Sequence, residues 1–231
     1  MYEGKFVTAI ISAGGSGSRM GAGKNKLFLE LNHRTILART IDKIYRSSYV
    51  DHIIIVVRKE DRAQVEKLID AYDRQIFSLA PGGASRQESI YNGLKLLPED
   101  TKLVLSHDGA RPFVATDKID RAIETLEDYD GLVFGVAVKD TLKVVRPRGD
   151  IEATPNRKYL YHIQTPQIFH KDIMIKAYEK ALIEDIDVTD DSQIVEVFGG
   201  RVKLFEGDYS NIKITTVEDL SYGEMLLKRE L

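Results

Sequence analysis

The stretch that most constrains this chain is residues 52–57, HIIIVV, a near-continuous β-branched run. Such a run reads as a strand buried on both faces, the habit of parallel sheets covered by helices on either side. Residues 6–11 and 132–138 are further apolar strands, and shorter ones fall at 77–80, 102–106, 202–206 and 212–215. Between them the period changes. Ile36, Leu37, Ile41, Ile44 and Tyr45 share one helical face over residues 35–46, as do Val65, Leu68, Ile69 and Tyr72 over 61–72. Ser85 followed by Glu88 is a capping-box signature that opens a helix to Leu97. Residues 117–126, 172–183 and 190–198 read as helices, and Thr216 with Glu218 and Asp219 caps a last one to about Arg229. The alternation predicts an α/β chain with a doubly wound, mostly parallel sheet.

Residues 141–147 and 152–163 break the pattern. They are extended but too polar for a core, and Pro147, Gly149 and Pro155 punctuate them. We read a hairpin-like β-arm at about 139–163, leaving one domain that spans residues 1–231.

The first strand ends in a turn made of glycine and serine from Ser12 to Ser18, interrupted only by Ala13. Arg19, Lys24 and Lys26 follow. Small residues let backbone N–H groups approach phosphate oxygens, and the cations add charge-assisted hydrogen bonds. The spacing separates three phosphate loops. G-x-G-x-x-G fails because Met20 stands at its last position, and the Walker pattern fails at Ser18 and Asn25. What remains is A-G-G-x-G-x-R-M-G with a lysine five residues on.

Ligands of such sheets sit beyond the carboxyl ends of the strands. That rule gathers the glycine-rich loop, Gly82-Gly83-Ala84-Ser85-Arg86 and His107-Asp108-Gly109-Ala110-Arg111 at one edge. Asp108 there suits Mg²⁺ or a hydroxyl, and Arg111 an anion or Asp108 itself. A net charge of −3 offers no basic field for nucleic acid. The absence of cysteine excludes disulfide and thiolate chemistry. With no signal-like or membrane-length apolar run, a cytoplasmic chain without membrane partners is expected.

These motifs, in order, carry a resemblance. A-G-G-S-G-S-R-M-G with K-N-K-L-F, G-G-A-S-R, H-D-G-A-R-P-F, V-K-D-T-L-K, Q-T-P-Q-I-F, T-D-D and Y-S-N-I-K-I-T-T resemble the 2-C-methyl-D-erythritol 4-phosphate cytidylyltransferase family. The resemblance implies a Rossmann-like nucleotidyltransferase that joins CMP from CTP, its co-substrate, to methylerythritol phosphate and releases pyrophosphate in non-mevalonate isoprenoid synthesis. It implies that Ala13, Gly14, Gly15, Ser16 and Gly17 hold the triphosphate, and that Arg19 and Lys26 stabilise the α-phosphate in the transition state. Gly82, Gly83, Ser89 and Gly109 would surround cytosine and ribose. Asp108 would sit near Mg²⁺ and Arg111 near the acceptor. Thr141, Arg157, Thr165 and Lys213 would bind methylerythritol phosphate, with Arg157 and Lys213 aiming its phosphate at CTP. The arm would cross to a second subunit, making a homodimer in which Thr141 and Arg157 serve the neighbour's site.

The chain departs from the family pattern in three places. Asn25-Lys26-Leu27 stands where many members read Pro-Lys-Gln, leaving Lys24 as a rival to Lys26. Gly109 replaces a common Ala and is expected to enlarge the nucleotide pocket. Ser210 replaces an Asp, which puts a metal contact there in question, with Asp208 close by. His33, His52, His162 and His170 read as packing or surface residues, and His107 as a strand-end hydrogen bonder. Ribitol 5-phosphate is the alternative acceptor, and a nucleotide sensor without turnover is the alternative from another class.

Overall fold

A computed structural model describes residues 1–15, 25–186 and 188–229. In chain order the elements are β1 (Phe6–Ala13), β2 (Glu30–Leu31), β3 (Arg34–Thr35), α1 (Ile36–Tyr45), β4 (Val50–Val57), α2 (Arg62–Ile69), β5 (Phe77–Pro81) and α3 (Arg86–Leu94). Then come β6 (Thr101–Asp108), α4 (Thr116–Glu124), β7 (Gly131–Ala137), β8 (Val144–Val145), β9 (Ile151–Ala153) and β10 (Tyr161–His170). The chain closes with α5 (Lys171–Ile183), α6 (Asp191–Val197), β11 (Val202–Glu206) and α7 (Val217–Arg229).

Among the described residues one seven-stranded sheet runs β11-β7-β10-β6-β1-β4-β5. β1 pairs in parallel with β4 and β6, and β4 with β5. β10 runs antiparallel to both β6 and β7, so it alone in this sheet points the other way. The doubly wound reading therefore holds. Successive residues of each strand face opposite sides. Ala9, Ile11, Ile53 and Ile55 pack with Ile41 of α1, Val65 of α2, Ile119 of α4 and Leu226 of α7. Ile10, Ile54 and Val56 pack on the other face with Ile90 of α3, Tyr178 of α5 and Ile194 of α6.

The Ser85 cap forms: its Oγ accepts from the Glu88 N–H at 3.0 Å. Glu88 reaches back one residue further than the standard box, accepting from the Ala84 N–H at 2.6 Å. At α7 the Asp219 carboxylate accepts from the N–H groups of Thr215 and Thr216 at 2.7 and 2.9 Å, which ties down the incoming loop.

Two expectations need correction. Residues 212–215 form no strand; the Ile214 N–H donates to Ala110 O at 2.9 Å, so the segment crosses the end of β6 instead of joining the sheet. The extended stretch 152–163 is not all arm. Tyr161, His162 and Ile163 pair with Ala137, Val136 and Gly135 of β7, and the strand continues through Gln164–Phe169 between β6 and β7. The part that leaves the sheet holds the small β8–β9 ladder and a 3₁₀ turn at Arg157–Tyr159.

Candidate active site

β1, β4, β5 and β6 end at one edge, and their following loops enclose a cleft of about 720 Å³. The expected residues that line it are Gly14, Gly15, Lys26, Gly83, Ser89, Asp108, Gly109 and Lys213. Ala13 is buried at the end of β1. Ser16, Gly17, Arg19 and Lys24 lie outside the described residues.

Two glycine turns abut at the cleft floor. A Cβ on Gly14 would lie 3.6 Å from the Gly82 Cα, and a Cβ on Gly83 would lie 2.6 Å from the Glu88 side chain. Gly83 donates its N–H to the Ser89 Oγ at 2.9 Å, which fixes the turn against α3. Gly109 does not enlarge the pocket as expected. A Cβ there would point at the Ser12 carbonyl oxygen, 2.9 Å away, and at Leu37 and Leu27, so the missing methyl lets two strand ends close up.

Charge is concentrated around Asp108, which is buried. Its carboxylate lies 2.9 Å from Lys213 Nζ, 3.3 Å from Arg111 Nε and 3.9 Å from Arg86 Nε. Burial alone would raise its pKa, but the attraction of Lys213, Arg86 and Arg111 outweighs it and holds the carboxyl well below the usual range. Lys26 also lines the cleft, and its Nζ donates to Ile214 O, next to Lys213, at 2.8 Å.

Beneath Asp108 the polar groups close into a ring. The Asp108 N–H donates to Thr165 Oγ1 at 3.0 Å, and Thr165 Oγ1 lies 3.0 Å from His107 Nδ1. His107 Nε2 faces Arg111 O at 3.1 Å. A carbonyl only accepts, so Nε2 carries the proton and Nδ1 accepts from the threonine hydroxyl. Burial lowers the His107 pKa to about 4, in keeping with a neutral ring. Arg111 donates to Asn211 O at 2.8 Å, and Asn211 Nδ2 donates to Thr165 O at 2.9 Å. His107 is thus a strand-end hydrogen bonder. The Thr165 hydroxyl works inside this ring and Arg111 flanks it, and neither lines the cleft.

Sequence reasoning gathered Arg86 at this edge but gave it no role. It lines the cleft and grips the wholly buried Asp191 with two nitrogens, at 2.5 and 2.9 Å. Tyr178 Oη donates to the same carboxylate at 2.5 Å, and Ser106 Oγ donates to its other oxygen. Burial opposes the guanidinium charge, yet Asp191 more than compensates and raises the Arg86 pKa. A signal existed: an arginine in the first turn of a helix opposes the macrodipole and calls for a partner. Arg58, at the end of β4, also lines the cleft.

Thr141 and Arg157 sit on the exposed arm, away from this chain's cleft lining, where Arg157 Nη1 donates to Lys139 O at 2.7 Å. Among the described residues no group of three or more His, Asp or Glu could hold a metal ion. No described helix is long and apolar enough to cross a membrane.

Comparison with known proteins gives consistent matches. Residues 7–229 match the family described as 2-C-methyl-D-erythritol 4-phosphate cytidylyltransferase. A protein of that name from Clostridium botulinum (strain 657 / Type Ba4) is 40% identical over 223 residues, covering 96% of this chain and 97% of the relative. Its counterpart in Clostridioides difficile (strain 630) is 42% identical over 224 residues, covering 96% of this chain and 94% of the relative. The crystal structure of 4-diphosphocytidyl-2C-methyl-D-erythritol synthase from Anaerococcus prevotii superposes with a TM-score of 0.90 at 38% identity, covering 98% of both chains.

Proposed function

The chain belongs to the 2-C-methyl-D-erythritol 4-phosphate cytidylyltransferase family and is a nucleotidyltransferase, and we propose how its cleft performs the transfer. CTP supplies the cytidylyl group, methylerythritol phosphate accepts it, and pyrophosphate leaves. The observation that carries this reading is one cleft lined by both Lys26 and Lys213 together with Gly14, Gly15 and Gly83, with Lys26 Nζ held on the carbonyl next to Lys213. Both reactants are anions, so the barrier includes their mutual repulsion. A phosphate oxygen needs no strong base to attack phosphorus; positioning and cationic stabilisation suffice.

In this reading the turn from Ala13 to Gly17 receives the triphosphate. Gly82, Gly83, Ser89 and Gly109 shape the seat of the base and ribose. Arg19 and Lys26 draw charge from the α-phosphate as the transition state forms. Lys213, anchored by Asp108 at 2.9 Å, turns its ammonium toward the acceptor phosphate. Arg111 and Thr165 hold Asp108 and the acceptor wall in register.

Mg²⁺ belongs to the same proposal. Such an ion is commonly held by one or two carboxylates plus substrate phosphates, and Asp108 is the carboxylate at this edge of the cleft: Lys213 and Arg111 engage its Oδ2 at 2.9 and 3.3 Å, and Arg86 stands 3.9 Å from its Oδ1. Asp108 would hold the ion, which when bound neutralises charge on the departing pyrophosphate.

We further propose one nucleotidyltransferase domain over 1–231 that works as a cytoplasmic homodimer paired through the arm. Val145, Ile151 and Tyr159 are 54%, 63% and 73% exposed there, apolar surface that a second copy would cover. Across that interface Thr141 and Arg157 would serve the neighbour's acceptor phosphate. The cysteine-free composition suits a reducing compartment.

Pyrophosphate release with CTP and Mg²⁺ tests this reading, with methylerythritol 4-phosphate and ribitol 5-phosphate compared as acceptors. Turnover with the first alone is expected. Turnover with the second alone would move the acceptor assignment, and CTP binding without release would indicate a sensor.

A further inference from the structure

We infer that Asp61 is a positioning residue for Lys26, acting through Asn25; the inference rests on the role proposed for Lys26 above. Asp61 is 8% exposed and closes the 3₁₀ turn Lys59–Asp61 that follows β4. Its Oδ2 meets Asn25 Nδ2 at 2.8 Å, Arg58 Nε at 2.8 Å and Arg58 Nη2 at 2.7 Å. Asn25 is 3% exposed, and its Oδ1 accepts from the Leu27 N–H at 3.1 Å. That bond caps the 3₁₀ turn Lys26–Phe28. The carboxamide of Asn25 is therefore tied on both sides, to the turn by its oxygen and to Asp61 by its nitrogen.

The turn needs such a tie. A single 3₁₀ turn has poor hydrogen-bond geometry and little stability of its own. Lys26 is its first residue, and a lysine side chain is long and rich in rotamers, so its aim depends on where its root is held. A misplacement of about 1 Å can cost about 10²-fold in rate. Asn25 Nδ2 also donates to Ala13 O, at 3.5 Å, so Asp61 is its short tie; removing Asp61 leaves only that long contact, loosens the cap and releases the root of Lys26. Asp61 and Asn25 do not line the cleft, whereas Lys26 and Arg58 do, so these two cations are the charged groups through which Asp61 can reach the chemistry.

Steady-state pyrophosphate release by Asp61→Ala, in the wild-type and Lys26→Ala backgrounds, separates the routes, with thermal unfolding followed in parallel. Lys26→Ala alone should lower kcat by about 10²–10³-fold, the usual loss for one transition-state donor. Asp61→Ala alone should lower kcat by about tenfold, within the range for a misplaced group, and leave the KM for CTP within about twofold. In the Lys26→Ala background the same change should cost less than about twofold, since residues acting as a unit are not additive. A tenfold loss in both backgrounds would overturn the inference by assigning the effect to Arg58 or to general destabilisation. Normal kcat in Asp61→Ala beside a crippled Lys26→Ala would overturn it while sparing the role of Lys26. Normal turnover in Lys26→Ala would remove that role and the inference with it. Asn25→Ala, which keeps the Arg58–Asp61 pair, serves where Asp61→Ala does not fold: the same kcat loss and non-additivity support the inference, and wild-type kcat overturns it.

Discussion

Acid should weaken this fold through His107 by an amount set by the ring beneath Asp108. The imidazole is 1% exposed, with Nδ1 accepting from Thr165 and Nε2 donating to Arg111 O. A second proton on Nδ1 would face an oxygen that already accepts from the Asp108 N–H, and the threonine hydroxyl would lose its acceptor. Burial accordingly holds the pKa at about 4, against 6.5 for an ordinary histidine. Between those values the unfolded chain binds a proton that the native chain does not, so stability rises with pH across the window. It is complete above about 6.5, is lost as pH falls toward 4, and changes no further through this group below that. At about 1.4 kcal/mol per pH unit the gap is worth roughly 3 kcal/mol. Urea unfolding of the wild type and of His107→Gln, at steps from pH 7 to pH 4, isolates the histidine, because the carboxylates titrate in both. The wild type should lose roughly 3 kcal/mol more than the variant, or about 6–12 °C in Tm for a chain of this size. Parallel curves would mean that His107 titrates alike in both states and that the ring does not hold it neutral.

Other perturbations separate the remaining roles. Arg157→Ala should raise the KM for the acceptor by about 10–100-fold, the worth of a charged hydrogen bond, and leave the KM for CTP within about twofold; an unchanged acceptor KM would make the arm purely structural. Asp191→Ala strands the Arg86 guanidinium and leaves Tyr178 and Ser106 without their acceptor, so urea unfolding should register a loss of about 3–5 kcal/mol. A loss below about 1 kcal/mol would show that water replaces the carboxylate. Gly109→Ala forces a methyl against the Ser12 carbonyl and should cost about 1–3 kcal/mol, measured the same way. Wild-type stability there would mean that the ends of β1 and β6 part without strain.

Much of this architecture is legible in residue order because its central strands are apolar without interruption. β4 and β11 and the helices that cover the sheet follow from their periods to within a few residues. β10 escapes notice for a physical reason. Gln164, Thr165, Pro166 and Gln167 look like loop chemistry, yet the Gln164 amide donates to Asp208 O at 2.8 Å and Gln167 bonds Asp190 and the Ser192 N–H, both at 3.0 Å. The register shifts between Gln164 and Gln167, so the proline falls at an irregularity of the ladder, where its missing N–H is tolerated. Residues 212–215 fail in the opposite sense. Their β-branched pattern reflects Ile214 packed into the core, and a pattern of alternation cannot tell a sheet partner from a crossing segment. Within the site, the glycine turns and Lys26 stand out by spacing, whereas Lys213 enters only through the family resemblance. Arg86 and Asp191 are 105 positions apart, and nothing local in either indicates that they meet.

The antiparallel placement of β10 beside β7 bears on chain economy. Neighbouring antiparallel strands can be joined by a hairpin of about two residues. Here residues 138–160 make the connection, although the two strands pair directly up to Tyr161 and Ala137. The sheet asks for almost none of that length: beyond the Val138 N–H bond to Leu160 O at 3.0 Å, the excursion adds no strand to it. It leaves and re-enters at the end of β7 that shares its direction with the cleft-forming ends of β1 and β6. The excursion therefore starts and ends on the same side of the sheet as the cleft, although none of its residues lines the cleft of its own chain.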